Sequence, residues 1–230
     1  MNVLLNNNIL VRLLRKRRIG TEDSLHNSIP FITFSQFVFY SQNNTFARIF
    51  LILTLSGGLI AQTQLGSDID GEAAGDGSGV SVSLSSEGTR VAIGAYSNGG
   101  NGVYSGHVRI FEFSSGSWTQ LGTDIDGEAA EDFSGISVAL DSDGSHVAIG
   151  AYSNGGNGVY SGHVRIFEFS SGSWTQLGTD IDGEAAEDFS GFSVSIDSDG
   201  SHVAIGALGN DGAGDNAGHV RVYEYNGGSW

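Results

Sequence analysis

The chain has 230 residues and contains no cysteine, one proline and one methionine. Without thiols there is no disulfide framework, no cysteine nucleophile and no thiolate metal ligand, and the redox compartment is left open. A single proline beside 36 glycines excludes a collagen-like composition. Long hydrophobic runs are absent as well. The longest, residues 49–61, holds 13 mostly apolar positions, short of the ~20 that a membrane-spanning helix needs. No helical periodicity sustains itself beyond residue 62, and basic charge nearly disappears there.

What is present divides sharply along the chain. Arg12, Arg15, Lys16, Arg17, Arg18 and Arg48 all precede residue 62, whereas 24 of the 26 carboxylates follow it. The later part carries Arg90, Arg109, Arg165 and Arg221 against those 24, a formal charge of −20. A surface that acidic repels phosphate backbones and argues against a nucleic-acid partner. The apolar stretch behind Arg48 has the length of a secretory h-region, so residues 46–61 are expected to be a signal peptide cut after Ala61. The alternative is a buried strand or helix. Residues 1–45 form a leader of unassigned role. Export would leave a secreted or cell-surface chain with no membrane span in its mature form.

Residues 91–135 recur letter for letter at 147–191. Trp118, Trp174 and Trp230 lie 56 apart, as do Thr63, Thr119 and Thr175, which fixes three repeats at 63–118, 119–174 and 175–230. A fixed period of about this size marks a solenoid, a propeller or an array. Within repeat two, residues 136–140 alternate in period two, an Asp143-Gly144 turn follows, and residues 146–151 resume the alternation: a β-hairpin. A Gly/Asn loop leads to His163-Val164-Arg165-Ile166-Phe167, rich in β-branched and aromatic residues, and then to Trp174-Thr175-Gln176. Each repeat therefore holds four short antiparallel strands.

The hairpin's two faces differ in bulk. Ile136, Val138, Leu140, Val147 and Ile149 fall on one side, and Ser137, Ala139, Ala148 and Gly150 on the other. A large face packed on the small face of the next copy lets sheets stack about 10 Å apart. The fold class expected is all-β, a β-propeller of four-stranded blades, here partial, since propellers have about 4 to 8 blades. Three blades leave open faces, so either further blades or self-association through another copy is expected. Residues 63–66 supply a spare copy of the fourth strand that the last repeat lacks.

Asp132-Phe133-Ser134-Gly135, Val147-Ala148-Ile149-Gly150-Ala151 and Gly162-His163-Val164-Arg165 recur in one order and spacing. The three repeats resemble FG-GAP repeats, the blades of the integrin α-chain propeller, and especially related bacterial secreted proteins. The resemblance covers residues 63–230. It implies a surface or secreted propeller used for adhesion or ligand binding, and a calcium loop in the first hairpin. Here that loop keeps Asp141 and Asp143 but has Ala139 and Val147 at its outer ligand positions.

A second acidic cluster lies between repeats: Asp124, Asp126, Glu128 and Asp132, then Asp180, Asp182, Glu184 and Asp188, with Asp68, Asp70, Glu72 and Asp76 ahead of them. Two readings stand. Asp124, Asp126, Asp132, Asp180, Asp182 and Asp188 could bind calcium through hard carboxylates. The reading preferred is a solvated linker whose Asp side chains cap nearby backbone groups. His107, His163 and His219 each precede an arginine by two residues, on the same strand face, which suits blade-to-blade hydrogen bonding. His146 and His202 replace Arg90, as suits an exposed strand edge.

Near-identical units argue against catalysis, which needs differently placed acid, base and nucleophile in one constellation. The expected function is a non-enzymatic binding or adhesion module with an extracellular protein or glycan ligand. The alternatives are a propeller hydrolase or lyase with its active site in missing blades and a purely structural array. Residues 208–217 diverge most from their repeat counterparts and are the place for partner selection.

Overall fold

The computed structural model describes residues 62–230 in full and, ahead of them, the backbone of three short strands. These are Asn2–Leu4 (β1), Leu10–Arg12 (β2) and Phe39–Tyr40 (β3), paired antiparallel in that order. The signal segment expected at 46–61 and the rest of the leader lie outside the described residues. The chain divides at Thr63 into two compact units, and the second carries the repeats.

Regular structure in that second unit is entirely β. Blade one comprises Ser78–Leu84 (β4), Arg90–Ala95 (β5), His107–Ser114 (β6) and Ser117–Gln120 (β7), with Ile125–Asp126 (β8) beside β6. Blade two repeats this with Ser137–Leu140 (β9), His146–Ala151 (β10), His163–Ser170 (β11), Ser173–Gln176 (β12) and Ile181–Asp182 (β13). Blade three has Ser190–Ile196 (β14), His202–Ala207 (β15) and His219–Glu224 (β16). The sheets are antiparallel meanders, as the alternation predicts, and the architecture is that of propeller blades. Among the described residues no helix is long and apolar enough to cross a membrane.

One detail of the sheets differs from the sequence reading. The outer strand is split: β7 pairs with the far half of β6, and β8 with its start, Val108 opposite Ile125. Asp124-Ile125-Asp126 is thus no solvated linker; burying Ile125 against the next blade pulls it into the sheet. Blade three has three strands, as the sequence reading of the last repeat implies.

Packing follows the two-faced pattern, in the reverse order along the chain. The large face of blade two, with Val138, Leu140, Val147, Ile149 and Phe167, rests on Ala92, Val108, Ile110 and Ile125 of the blade before it. Val203 and Ile205 of blade three rest likewise on Ala148, Val164, Ile166 and Ile181 of blade two. Glycine sets the closest approach. A Cβ on Gly150 would run into the carbonyl of Gly191, to which Ser137 Oγ donates at 2.7 Å, and Gly94, Ser81 and Gly135 repeat the arrangement one blade earlier.

Hairpin turns stack too. Ser86 N–H donates to the Ser142 carbonyl at 2.8 Å, and Ser142 N–H to Ser198 at 3.2 Å, each pair 56 residues apart. The next turn covers the residue at the start of the second strand. Arg90 Nη1 donates to Gly144 O at 3.2 Å, and Gly200 lies over the His146 ring. Position 90/146 is therefore an interblade contact, not the exposed edge expected, and only His202 is exposed. His146 Nδ1 lies 2.7 Å from Asp141 Oδ2, while Asp141 also accepts from Ser145 Oγ and His146 N–H. Burial acts to raise the Asp141 pKa, but these bonds outweigh it and hold the carboxyl below its ordinary range. The same bond to Asp141 raises His146, against a smaller opposing effect of burial.

Candidate functional site

The site is built where one blade's outer strand runs into the next blade. The segment after β8 leaves the sheet at Gly127, whose N–H donates to Gly106 O at 2.8 Å. It then runs beside the loop between β5 and β6: Glu131, Phe133 and Ser134 N–H donate to Val103, Tyr104 and Ser105 carbonyls at 2.8–3.0 Å. Residues 183–190 repeat this against residues 159–162. Asp132 is buried in this loop and accepts from Ala129 N–H at 2.9 Å and Asn154 Nδ2 at 3.1 Å. Asp188 does the same for Ala185 and Asn210. Both are loop-closing acceptors, the capping role that Asp side chains favour.

The strand-start histidine and arginine face this segment. Arg165 Nη2 donates to Asp126 O at 2.6 Å, and its Nη1 lies 3.7 Å from Glu128 Oε1. Arg109 holds Asp70 O and Glu72 in the same way. The blade-to-blade hydrogen bonding expected of the strand-start histidines is made by the arginines instead. Buried His163 presents Nδ1 to Glu128 Oε2 at 3.8 Å and to Asp180 Oδ2 at 3.9 Å. Both separations exceed a direct hydrogen bond and leave room for a bridging atom.

Glu128, His163 and Asp180 thus come from three different elements, with ligand atoms all within 4.8 Å of one another. Glu72, His107 and Asp124 make the same group one blade earlier. Burial, with Arg165 adding to it, pushes the His163 pKa down despite the neighbouring carboxylates, so the imidazole is neutral near pH 7. Burial likewise lowers that of Arg165, against the pull of Glu128 and Asp180.

Of the sequence-predicted metal residues, Asp124 and Asp180 enter these groups. Asp126 and Asp182 do not, and Asp132 and Asp188 are engaged in loop closure. Two carboxylates, one imidazole and a guanidinium close by fall short of the about six to eight oxygens that calcium takes. A third acidic group, Asp197, Asp199 and His202, lies on an exposed hairpin turn. There burial acts to raise Asp197, and bonds from His202 and Ser201 prevail, bringing its pKa down to about 2.

Glu128 and Asp180 open on a cleft of about 600 Å³ that Asn154, Glu131, Asp182 and Tyr160 also line. Tyr160 stacks on Phe189, with ring centroids 5.9 Å apart and planes at 19°. Glu131 and Tyr160 hold left-handed backbone at φ 67° and 57°, a conformation that costs about 1–3 kcal/mol at non-glycine residues and gathers at functional sites. Sequence reasoning placed Glu128 in the acidic cluster but not among the metal candidates, left Tyr160 unassigned and gave His163 a blade-to-blade hydrogen-bonding role. The signal was there in the recurrence of Asp-Gly-Glu and His-x-Arg at one spacing, but 35 residues of chain separate Glu128 from His163.

No protein-family description matches this chain, and no curated protein matches it. Solved structures do. A proposed 6-phosphogluconolactonase of Bacteroides uniformis aligns over 64% of this chain and 36% of its own, at 14% identity and a TM-score of 0.43. The periplasmic gluconolactonase of Pseudomonas aeruginosa aligns over 63% and 39%, at 18% identity and a TM-score of 0.41. The hydrazine synthase of Kuenenia stuttgartiensis aligns over 73% and 36%, at 12% and 0.41. The chain spans less than half the length of each.

The expectation of a non-enzymatic binding or adhesion module is corrected. Two of the structures to which the chain is similar are named as lactonases. The symmetry argument also fails on its own ground. Identical repeats do bring unlike groups together, because each boundary combines the glutamate of one segment with the histidine and aspartate of the blade that follows.

Proposed function

We propose that the chain is a propeller-type hydrolase acting on a hydroxyl-rich cyclic ester in the cleft that Glu128 and Asp180 line. The observation that carries the reading is the convergence of Glu128, His163 and Asp180 beside an open cleft. Glu128 would take a proton from a water attacking the ester carbonyl, and the proton would pass to the departing ring oxygen. His163, neutral because it is buried, can accept and return that proton. Tyr160 would offer its exposed ring to the apolar face of the substrate. The five carboxylates lining the cleft disfavour a phosphorylated substrate, so an unphosphorylated aldonolactone is the class to test first.

Two finer expectations belong to this proposal. The units are taken as FG-GAP-like on their motif order, and the chain as exported on its apolar run at 49–61. The decisive measurement is glucono-lactone hydrolysis by the full chain in a pH-stat. Acceleration over buffer, reduced about 100-fold when Glu72→Gln and Glu128→Gln are combined, is expected from the loss of a general base. A rate equal to buffer overturns the reading.

A further inference from the structure

His163 is a buried group that the fold leaves without a hydrogen bond. It is 1% exposed, and among the described residues its Nδ1 faces only Glu128 Oε2 at 3.8 Å and Asp180 Oδ2 at 3.9 Å. A polar side chain withdrawn that far from water ordinarily has a partner at bonding distance. The two carboxylates are also held in their attitude. Gln176 Nε2 donates to Asp180 Oδ1 at 2.7 Å, and Arg165 Nη1 stands 3.7 Å from Glu128 Oε1. Each acid therefore has one oxygen engaged elsewhere and the other turned to His163. One blade earlier the arrangement recurs. Gln120 Nε2 donates to Asp124 Oδ1 at 2.6 Å, Arg109 stands by Glu72 Oε1, and Glu72 Oε2 lies 3.9 Å from His107 Nδ1.

Spacing decides what fits among such a nitrogen and two oxygens. A zinc ion bonded at about 2.0–2.1 Å holds tetrahedral ligands about 3.4 Å apart. The three N–H bonds of a protonated primary amine, at about 2.9 Å, spread their acceptors to as much as about 4.7 Å. In the His163 group the imidazole nitrogen stands 3.8 and 3.9 Å from the oxygens, and no pair of ligand atoms exceeds 4.8 Å. That is wider than the ion holds its ligands, and it suits the amine with no side chain moved. The positive charge agrees with a cleft that Glu131 and Asp182 also line.

The same cleft offers a second kind of contact. Tyr160 is exposed and lies nearly parallel to Phe189, and the carboxylates of Glu131 and Asp182 are free to accept hydroxyl protons. A ring with C–H bonds on its face and hydroxyls around its edge meets both. Tyr104, stacked on Phe133 with ring centroids 5.6 Å apart, repeats the exposed ring one blade earlier.

We infer that the Glu128, His163 and Asp180 group, with its copy at Glu72, His107 and Asp124, binds the ammonium group of an amino sugar. The sugar ring lies on Tyr160, or on Tyr104 in the copy. The amine donates to His163 Nδ1, Glu128 Oε2 and Asp180 Oδ2, where a water attacking an ester would otherwise sit, so amino sugar and ester hydrolysis exclude each other. That exclusion rests on the hydrolase reading, whereas the binding does not.

Calorimetric titration of the full chain with glucosamine at about pH 6, where a sugar amine is protonated, tests this. Two sites are expected, one for each group, with glucose at least about 30-fold weaker because it leaves the carboxylates unpaired. No heat with glucosamine, or equal affinity for glucose, overturns the proposal. Methylammonium should bind the same sites more weakly, and equal affinity would show that the ring takes no part and overturn the amino-sugar assignment. Asp180→Asn keeps the acceptor for Gln176 and should remove one site, and Asp124→Asn the other, with folding checked by circular dichroism. A double variant that still binds glucosamine sinks the idea, as does zinc chloride that fills both sites and displaces the sugar. Where lactone hydrolysis is seen, glucosamine should inhibit it competitively, and inhibition that is not competitive overturns the exclusion. A hydrolysis rate equal to buffer refutes the hydrolase reading alone, and absence of binding refutes this one alone, so the two failures are told apart.

Discussion

Blade two and blade three share nearly the same sequence through their second strands, yet one has a sealed interior and the other an open face. His163 and His219 illustrate the difference. Both begin a strand, both precede an arginine, and both face a glutamate of the preceding segment. His163 is enclosed by an outer strand and the next blade, whereas His219 is partly exposed. A repeat residue takes its environment from the neighbour on the far side of its sheet, so chemical identity along the array does not make equal sites.

The sharpest way to break this comparison is to remove the same bulk from both blades. Ile166→Ala should cost about 4 kcal/mol, the range for a fully buried isoleucine. Val222→Ala should cost less than about 0.5 kcal/mol, as for an exposed position. Urea unfolding would read both, and equal costs would refute the idea of a sealed and an open face. Gly150→Ala comes next, at about 3 kcal/mol, because the added methyl meets the immovable Gly191 carbonyl. Gly206→Ala should cost less, since there the new methyl meets only the hydroxyl end of Ser193, which can rotate away.

The smallest effect is a pH dependence that differs in sign between two histidines. His146 is raised by Asp141, so its stabilisation is complete below the ordinary histidine pKa and is lost as pH rises through the higher folded value. His163 is lowered by burial, so stability falls as pH drops from the ordinary value towards the lower folded one. Thermal melts of His146→Arg should lose the decline above neutral pH, a change of about 1 kcal/mol, and keep the decline on the acid side. A variant that loses both would show that the two histidines do not titrate separately.

Much of the fold was legible because it is written three times. The 56-residue period, the hairpin with its Asp143-Gly144 turn and the unequal faces follow from alternation, turn chemistry and side-chain bulk. The split outer strand was not. Asp124, Ile125 and Asp126 read as a polar linker because two of three residues are charged, and only the adjacent blade makes burial of Ile125 worth a short pairing with β6. Arg90 and His146 read as edge residues for a similar reason: the turn that covers them begins more than 50 residues later.

The candidate site divides along the same line. The sequence by itself determined the donor types, a Gly-Glu after Asp-Ile-Asp and a His-x-Arg at a strand start, together with their recurrence at one interval. Tertiary structure decided which of the many carboxylates converge. Stacking of successive sheets carries Glu128 to His163 and Asp180, turns Asp132 inward to close a loop, and leaves Asp126 outside the group. Side-chain chemistry is local and visible in the chain, whereas burial and convergence depend on the surface that another blade presents.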